Sequence, residues 1–198
     1  YRSEGYSTFE MQTFLIFGLS GVGKTTTCRR FIEANRDFAH LTSSGLLMEA
    51  TGRTREQLAT STSDDIVSMQ CALAPMLKRK KMQLGVTGLL LDGHCLIDND
   101  LVLIPTSPAI IKSLEPSGIV LLLTSPDELQ RRRSSSSTPR PRRTSIELSQ
   151  QMAWCKQLVS DYSQELNIPA TILFSDQDFD LRGAIDNLTY LTQQRDLI

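Results

Sequence analysis

No two of the four cysteines, Cys28, Cys71, Cys95 and Cys155, stand at CxxC spacing. That argues against a zinc knuckle or a disulfide framework and for a reducing, cytoplasmic setting. Long apolar runs are lacking as well. The longest lies around residues 119–123, far short of the roughly 20 residues that cross a bilayer, so no membrane partner is expected, and no signal-peptide pattern is visible. Charge of one sign is also missing. Lys and Arg number 21 against 22 Asp and Glu, a net charge of -1, so no whole-molecule basic field draws nucleic acid and any attraction for anions is local. What is there suits a chain with one buried core, 40% of it hydrophobic and 22% charged over 198 residues. Residues 1–10 are polar and precede Met11; they are expected to be an extension or tag remnant, with a single domain over 11–198.

Five apolar runs of strand length, at 13–17, 38–41, 88–91, 118–123 and 170–174, alternate with helix-like stretches. That alternation predicts an α/β fold with a mostly parallel sheet. The runs at 88–91 and 118–123 are apolar without alternation, as strands covered on both faces are, and are expected at the centre. Helices are predicted over 25–34, over 63–81 with Pro75 as a kink or break, over 145–166, and after Asp180 as a cap. Residues 131–143 hold six arginines, four consecutive serines, two prolines and no acid. Such a stretch builds no core and reads as a surface loop or mobile flap, its first three arginines ending a helix pattern that begins at Pro126.

The run Gly18-Leu19-Ser20-Gly21-Val22-Gly23-Lys24-Thr25 matches G-x-x-x-x-G-K-[ST], with an apolar strand before it and a helix pattern after it. Glycines let successive backbone N–H groups turn toward one phosphate chain, and the following helix adds its positive end. Gly18, Ser20, Gly21, Val22, Gly23, Lys24, Thr25 and Thr26 are therefore the expected ATP-binding residues. Lys24, expected to be exposed, bridges β- and γ-phosphates, and Thr25 ligates Mg²⁺ through its hydroxyl. Phosphoryl transfer also needs a carboxylate near that ion. Asp92 closes the apolar run at 88–91, so a strand delivers it to the carboxyl edge of the sheet beside the loop. Asp98 and Asp100 read as turn or surface residues and Cys95 as packing, while His94 is a candidate to orient Asp92 or a substrate phosphate. The arginine segment suits a lid whose guanidinium forks close over a triphosphate. Arg133 and Arg140 are its catalytic candidates, and a solvated basic loop is the alternative.

These residues together resemble the nucleoside monophosphate kinases, and most of all the archaeal-type adenylate kinases. The resemblance rests on the phosphate loop, on Leu41-Thr42-Ser43-Ser44-Gly45-Leu46-Leu47, on Asp92-Gly93-His94 and on the short arginine-bearing lid. It implies a three-layer fold with a five-stranded parallel sheet in the order 2-3-1-4-5, and transfer of the γ-phosphoryl of ATP to AMP. It further implies that Thr42, Ser43, Gly45 and His94 face the acceptor and that backbone around 175–178 holds the donor base. The chain departs from the common bacterial pattern. His94-Cys95-Leu96 stands where an aromatic, a proline and an arginine follow the Asp-Gly pair, and Arg53 and Arg55 are the candidate substitutes. Kinases of another small metabolite and ATP-binding switch modules remain alternatives, whereas a GTPase is not supported, since no N-K-x-D motif occurs.

Overall fold

In the computed structural model, which describes residues 11–137, 140–177 and 179–195 apart from the Ala59 side chain, the apolar runs become the strands of two sheets. Strands β1 (Gln12–Phe17), β2 (Phe38–Thr42), β3 (Gly88–Asp92), β6 (Gly118–Leu123) and β7 (Ala170–Phe174) pair in parallel in the order β2-β3-β1-β6-β7. Strands β4 (Leu96–Asp98) and β5 (Leu103–Pro105) form a separate antiparallel hairpin. With the hairpin set aside, the order is the expected 2-3-1-4-5. The expected extension at 1–10 and Thr138 and Pro139 at the tip of the expected lid lie outside the described residues.

Three layers follow from the apolar pattern. Helices α1 (Lys24–Ala34) and α9 (Leu181–Arg195) cover one face, laying Cys28, Phe31, Leu181, Ile185 and Leu188 on Phe14, Ile16, Leu90 and Val120. The other face is covered by α2 (Ser43–Thr51), α5 (Leu73–Lys81), α6 (Pro108–Ser113), α7 (Pro126–Ser134) and α8 (Ser145–Glu165). Their Leu46, Leu77, Ile111, Leu129 and Cys155 pack on Leu15, Leu89, Leu91, Ile119 and Leu121. Because both faces are covered, β3 and β6 are buried at every residue, which is why neither run needs polar alternation. Helix starts follow side-chain chemistry: Thr42, Thr54, Thr62, Ser107, Ser125 and Thr144 each accept a hydrogen bond from a backbone N–H in the first turn that follows.

One expectation is corrected, and one element was not anticipated. The helix predicted over 63–81 is two, α4 (Ser63–Gln70) and α5, and the chain breaks at Cys71 and Ala72, not at Pro75. Pro75 lies in the first turn of α5, where its missing N–H costs no helical bond. The hairpin β4–β5 was not anticipated. It turns at Asn99 and Asp100, where Asn99 Oδ1 accepts from the N–H groups of Leu101 and Val102 and Asp100 takes φ 77°. Arg131, Arg132 and Arg133 lie within α7, where the helix pattern that begins at Pro126 places them.

Candidate active site

Lys24, Thr25, Asp92 and His94 gather at the carboxyl edge of the parallel sheet, with Arg133 and Arg140 against the loop. The chain leaves β1 through Gly18, whose φ of +151° and 2.4 Å separation between a hypothetical Cβ and the Leu122 carbonyl oxygen leave no room for a side chain. It enters α1 through Gly23 in the left-handed region, at φ 107°. The loop between them is shaped by backbone, and α1 points its N-terminus into it.

Lys24 is buried, its side chain 6% exposed, which corrects the expectation of an exposed lysine. Its Nζ donates to the carbonyls of Gly18 (2.9 Å) and Leu19 (3.3 Å) and to His94 Nε2 (3.2 Å), and it stands 4.0 Å from Asp92 Oδ1. Burial lowers its pKa below the ordinary lysine value, with Asp92 opposing. Asp92, at the end of β3, accepts from Thr25 Oγ1 at 2.5 Å. Burial alone raises a carboxyl pKa, but His40, Lys24 and Thr25 outweigh it here and hold Asp92 below the usual range. His94 keeps solvent access at the mouth of the site. The protein crowded around its ring, and next the Lys24, Arg133 and Arg140 cations, hold its pKa down to about 3 against the pull of Asp92. The imidazole is therefore neutral at pH 7, and its Nε2 is free to accept from Lys24.

Thr42, Ser43 and Gly45 lie across the site at the start of α2. There is no open loop at this point: the helix begins at Ser43, and the Thr42 hydroxyl caps it by accepting from Gly45 N at 3.0 Å. Gly45 is fitted to that cap, since a Cβ would come within 2.8 Å of Thr42 Oγ1. Ser43 Oγ stands against Gly93, 2.6 Å from where a Cβ would lie. Of the two candidate acceptor arginines, Arg53 is tied locally to Ser61 Oγ (3.2 Å) and Met69 Sδ (3.5 Å). Arg55 instead bears on Arg140: after burial, its charge is the next influence depressing the Arg140 pKa.

The arginine segment meets the loop directly. Arg133 Nε donates to the Ser20 carbonyl at 2.9 Å, and Arg132 Nη1 to the Val22 carbonyl at 2.9 Å. Arg140 Nη1 reaches 3.3 Å from where a Gly21 Cβ would lie. At the base of the segment Arg143 holds Asp98 (2.8 and 3.0 Å), which also accepts from Gln151 (3.0 Å). Asp98, expected in a turn or on the surface, has a side chain only 8% exposed and anchors the segment to the hairpin. Beside the loop opens a cavity of about 770 Å³, lined by residues that include Gly21, Thr26, Phe31, Ser175 and Phe179.

Four residues of the site escaped sequence reasoning. Arg132 was not separated from its neighbouring arginines, and the Ser175 side chain and Asp98 carry no motif. His40 had a legible signal in strand parity. Thr42 pairs with Asp92 and His40 with Leu90 in the β2–β3 register, so 40 and 92 share a sheet face. The His40 Nε2 lies 3.8 Å from Asp92 Oδ2, buried and without a hydrogen-bond partner among the described residues.

Over 132 residues the chain is 26% identical to an adenylate kinase from Methanopyrus kandleri, an alignment spanning 63% of this chain and 68% of that protein. The crystal structure of a shikimate kinase from Bacteroides thetaiotaomicron superposes with a TM-score of 0.51 at 20% identity, covering 96% of this chain and all of that one, a likeness of fold. A family model described as an AAA domain matches residues 17–149, from the last residue of β1 through the phosphate loop and Asp92 into α8. On that match the chain belongs to the AAA-domain family.

Proposed function

We propose that the chain is an ATP-dependent phosphotransferase that moves the γ-phosphoryl of ATP to a small-molecule acceptor, AMP being the first candidate. One observation carries the reading: Lys24, Thr25 and Asp92 converge at the mouth of a glycine-shaped loop, with Arg133 and Arg140 over it. Gly18, Ser20, Gly21, Val22, Gly23, Lys24, Thr25 and Thr26 bind the triphosphate. Thr42, Ser43, Gly45 and His94 border the acceptor. The choice of AMP rests on the likeness to adenylate kinases.

The donor set suits Mg²⁺. Thr25 and Asp92 offer hard oxygens, and among the described residues no group of three or more His, Cys, Asp or Glu forms a cage. That fits an ion held by one hydroxyl and one carboxylate and completed by phosphate and water. When bound, it would neutralise charge on the phosphate oxygens. The protein does the rest. Lys24 already stands ammonium-first in the loop, held by two carbonyls and His94, and exchanges those acceptors for phosphate oxygens. Because His94 is neutral, it adds no positive charge that would compete for the anion, and it takes a hydrogen bond that keeps Lys24 aimed. Arg133 and Arg140 stabilise charge on the transferring group from the opposite side.

An acceptor other than AMP is the second reading, favoured by Arg53 being committed to Ser61 and Met69 and by the absence of an arginine after Gly93. A panel of nucleoside monophosphates and hydroxylated metabolites, assayed for ADP formation above ATP hydrolysis, decides. AMP outpacing GMP, CMP and UMP supports the first reading. A metabolite turned over while AMP is inert supports the second, and ATP hydrolysis with no acceptor would remove the phosphotransferase reading.

A further inference from the structure

The phosphate loop is held from outside as well as by its glycines. Alternate carbonyls along it, those of Ser20 and Val22, accept from arginines of α7. The second contact is the more elaborate. The Val22 oxygen accepts from Arg132 Nη1 at 2.9 Å and from Ser175 Oγ at 3.0 Å, and Arg132 Nη1 also donates to Ser175 Oγ at 3.0 Å, closing a triangle. Arg132 is itself fixed, because its Nε donates to Glu128 Oε1 at 2.6 Å. Glu128 is held below the ordinary carboxylate range, to about 2, by Arg131 and Arg132, so the clamp stays charged at working pH. Ser175 comes from the turn after β7, the far side of the site in sequence.

A trans peptide is planar, with its C=O and N–H on opposite sides. Fixing the Val22 oxygen on Arg132 and Ser175 therefore fixes the Gly23 N–H in the opposite direction, where a phosphate cradled by the loop would accept from it. Gly23 is the residue whose left-handed backbone lets that plane rotate freely, so an external hold matters most there.

We propose that Arg132 and Ser175 are positioning residues that lock the Val22–Gly23 peptide plane of the phosphate loop, pre-aiming the Gly23 N–H at a bound polyphosphate. Their role is exercised through the loop and not through contact with the phosphates. This rests on the phosphate-binding reading of the loop but not on the identity of the acceptor. Both side chains also line the 770 Å³ cavity, so a direct contact with a nucleoside must be told apart from positioning.

The test is calorimetric binding of two probes, inorganic tripolyphosphate, which has no base, and adenosine, which has no phosphate. Losing one hydrogen bond of the triangle in Ser175→Ala is expected to weaken tripolyphosphate binding about fivefold while leaving adenosine unchanged. Ser175→Thr, which keeps the hydroxyl, restores affinity. Arg132→Lys keeps the charge but cannot hold Glu128 and Val22 from two nitrogens of one plane, and is expected to lose as much as Arg132→Met. Combined with Ser175→Ala, Arg132→Met loses less than the product of the single effects, because both act on one carbonyl. Wild-type tripolyphosphate affinity in Ser175→Ala, full affinity in Arg132→Lys, or a selective loss of adenosine binding would each overturn the proposal. Were Arg132→Met to unfold, the Ala and Thr variants at Ser175 would still decide. Lys24→Met binding tripolyphosphate like the wild type would overturn the phosphate-loop reading itself, a distinct outcome.

Discussion

Lys24 and His94 show how a single residue sets the chemistry and what its replacement costs. A buried ammonium is expensive, and Lys24 is held by two carbonyls, His94 and Asp92, so Lys24→Met should leave the melting temperature within a few degrees while removing transition-state charge stabilisation. Turnover should fall by about a hundredfold or more; a variant retaining a tenth of wild-type turnover would place the catalytic charge elsewhere. Asp92→Asn should likewise lose activity while still unfolding cooperatively, with its residual rate insensitive to Mg²⁺ between low and saturating levels. His94 yields a pH prediction. Its folded pKa, near 3, lies below the ordinary 6.5. Between those values the unfolded chain binds the proton and the folded one does not, so stability is full above about pH 6.5 and declines as pH falls toward 3. Imidazole NMR should show His94 untitrated at pH 5, and the slope of denaturation midpoint against pH should flatten in His94→Asn. At this scale the sequence was most informative where residue type alone dictates the role. The convergence of Gly18, Lys24, Thr25 and Asp92 was legible from the loop motif and from the strand end that carries Asp92. Arg132, Ser175 and Asp98 were not, because each acts by a hydrogen bond across 45 or more residues, which no local pattern encodes.

Among the elements, the arginine segment carries the sharpest prediction. Its start is helical in α7 and its end is clamped to β4 through the Arg143 and Asp98 pair, both side chains mostly buried at 17% and 8% exposure. Arg143→Met would leave the Asp98 carboxylate with Gln151 and no cation. It should destabilise the protein by about 2 kcal/mol, the usual cost of orphaning a buried charged partner after allowance for partial solvent access. The same variant should speed hydrogen exchange over the described residues of 131–143. In the wild type, ATP with an acceptor should slow that exchange, since bound phosphates supply an anion to the arginines that reach the loop, Arg133 and Arg140. Equal exchange with and without ligand would mark the segment as a basic surface only. Strands at 118–123 and 170–174 were placed to the residue from their apolar runs. The hairpin was missed because two three-residue strands carry too little periodicity to register, and the helix break at Cys71 because Pro75, the obvious breaker, is harmless in a first turn.

Taken as a whole molecule, the phosphate loop, Asp92, Thr42 and Ser175 all lie at or just beyond carboxyl ends of parallel strands, so the fold brings them along one edge. Ligand binding at such an edge should stabilise the entire cooperative unit. ATP at about a hundred times its Kd should add about 2.7 kcal/mol, read as a shift in thermal midpoint, and Lys24→Met should lose most of that shift. The strand order that makes the edge has a further consequence for how the chain is made. β1 is first in sequence yet central in space, with β3 and β6 as its neighbours, and the Val22 carbonyl waits for a hydroxyl 153 residues downstream. As the polypeptide leaves the ribosome, the segment at 12–17 has no partner until residues 88–92 have emerged, and the phosphate loop is not braced until Ser175 is out. Such late closure makes for slow folding and a long interval in which an apolar strand stands unpaired. Nascent chains stalled before residue 175 should accordingly bind immobilised ATP poorly, and slow translation between β1 and β3 should lengthen the newborn chain's exposure to chaperones.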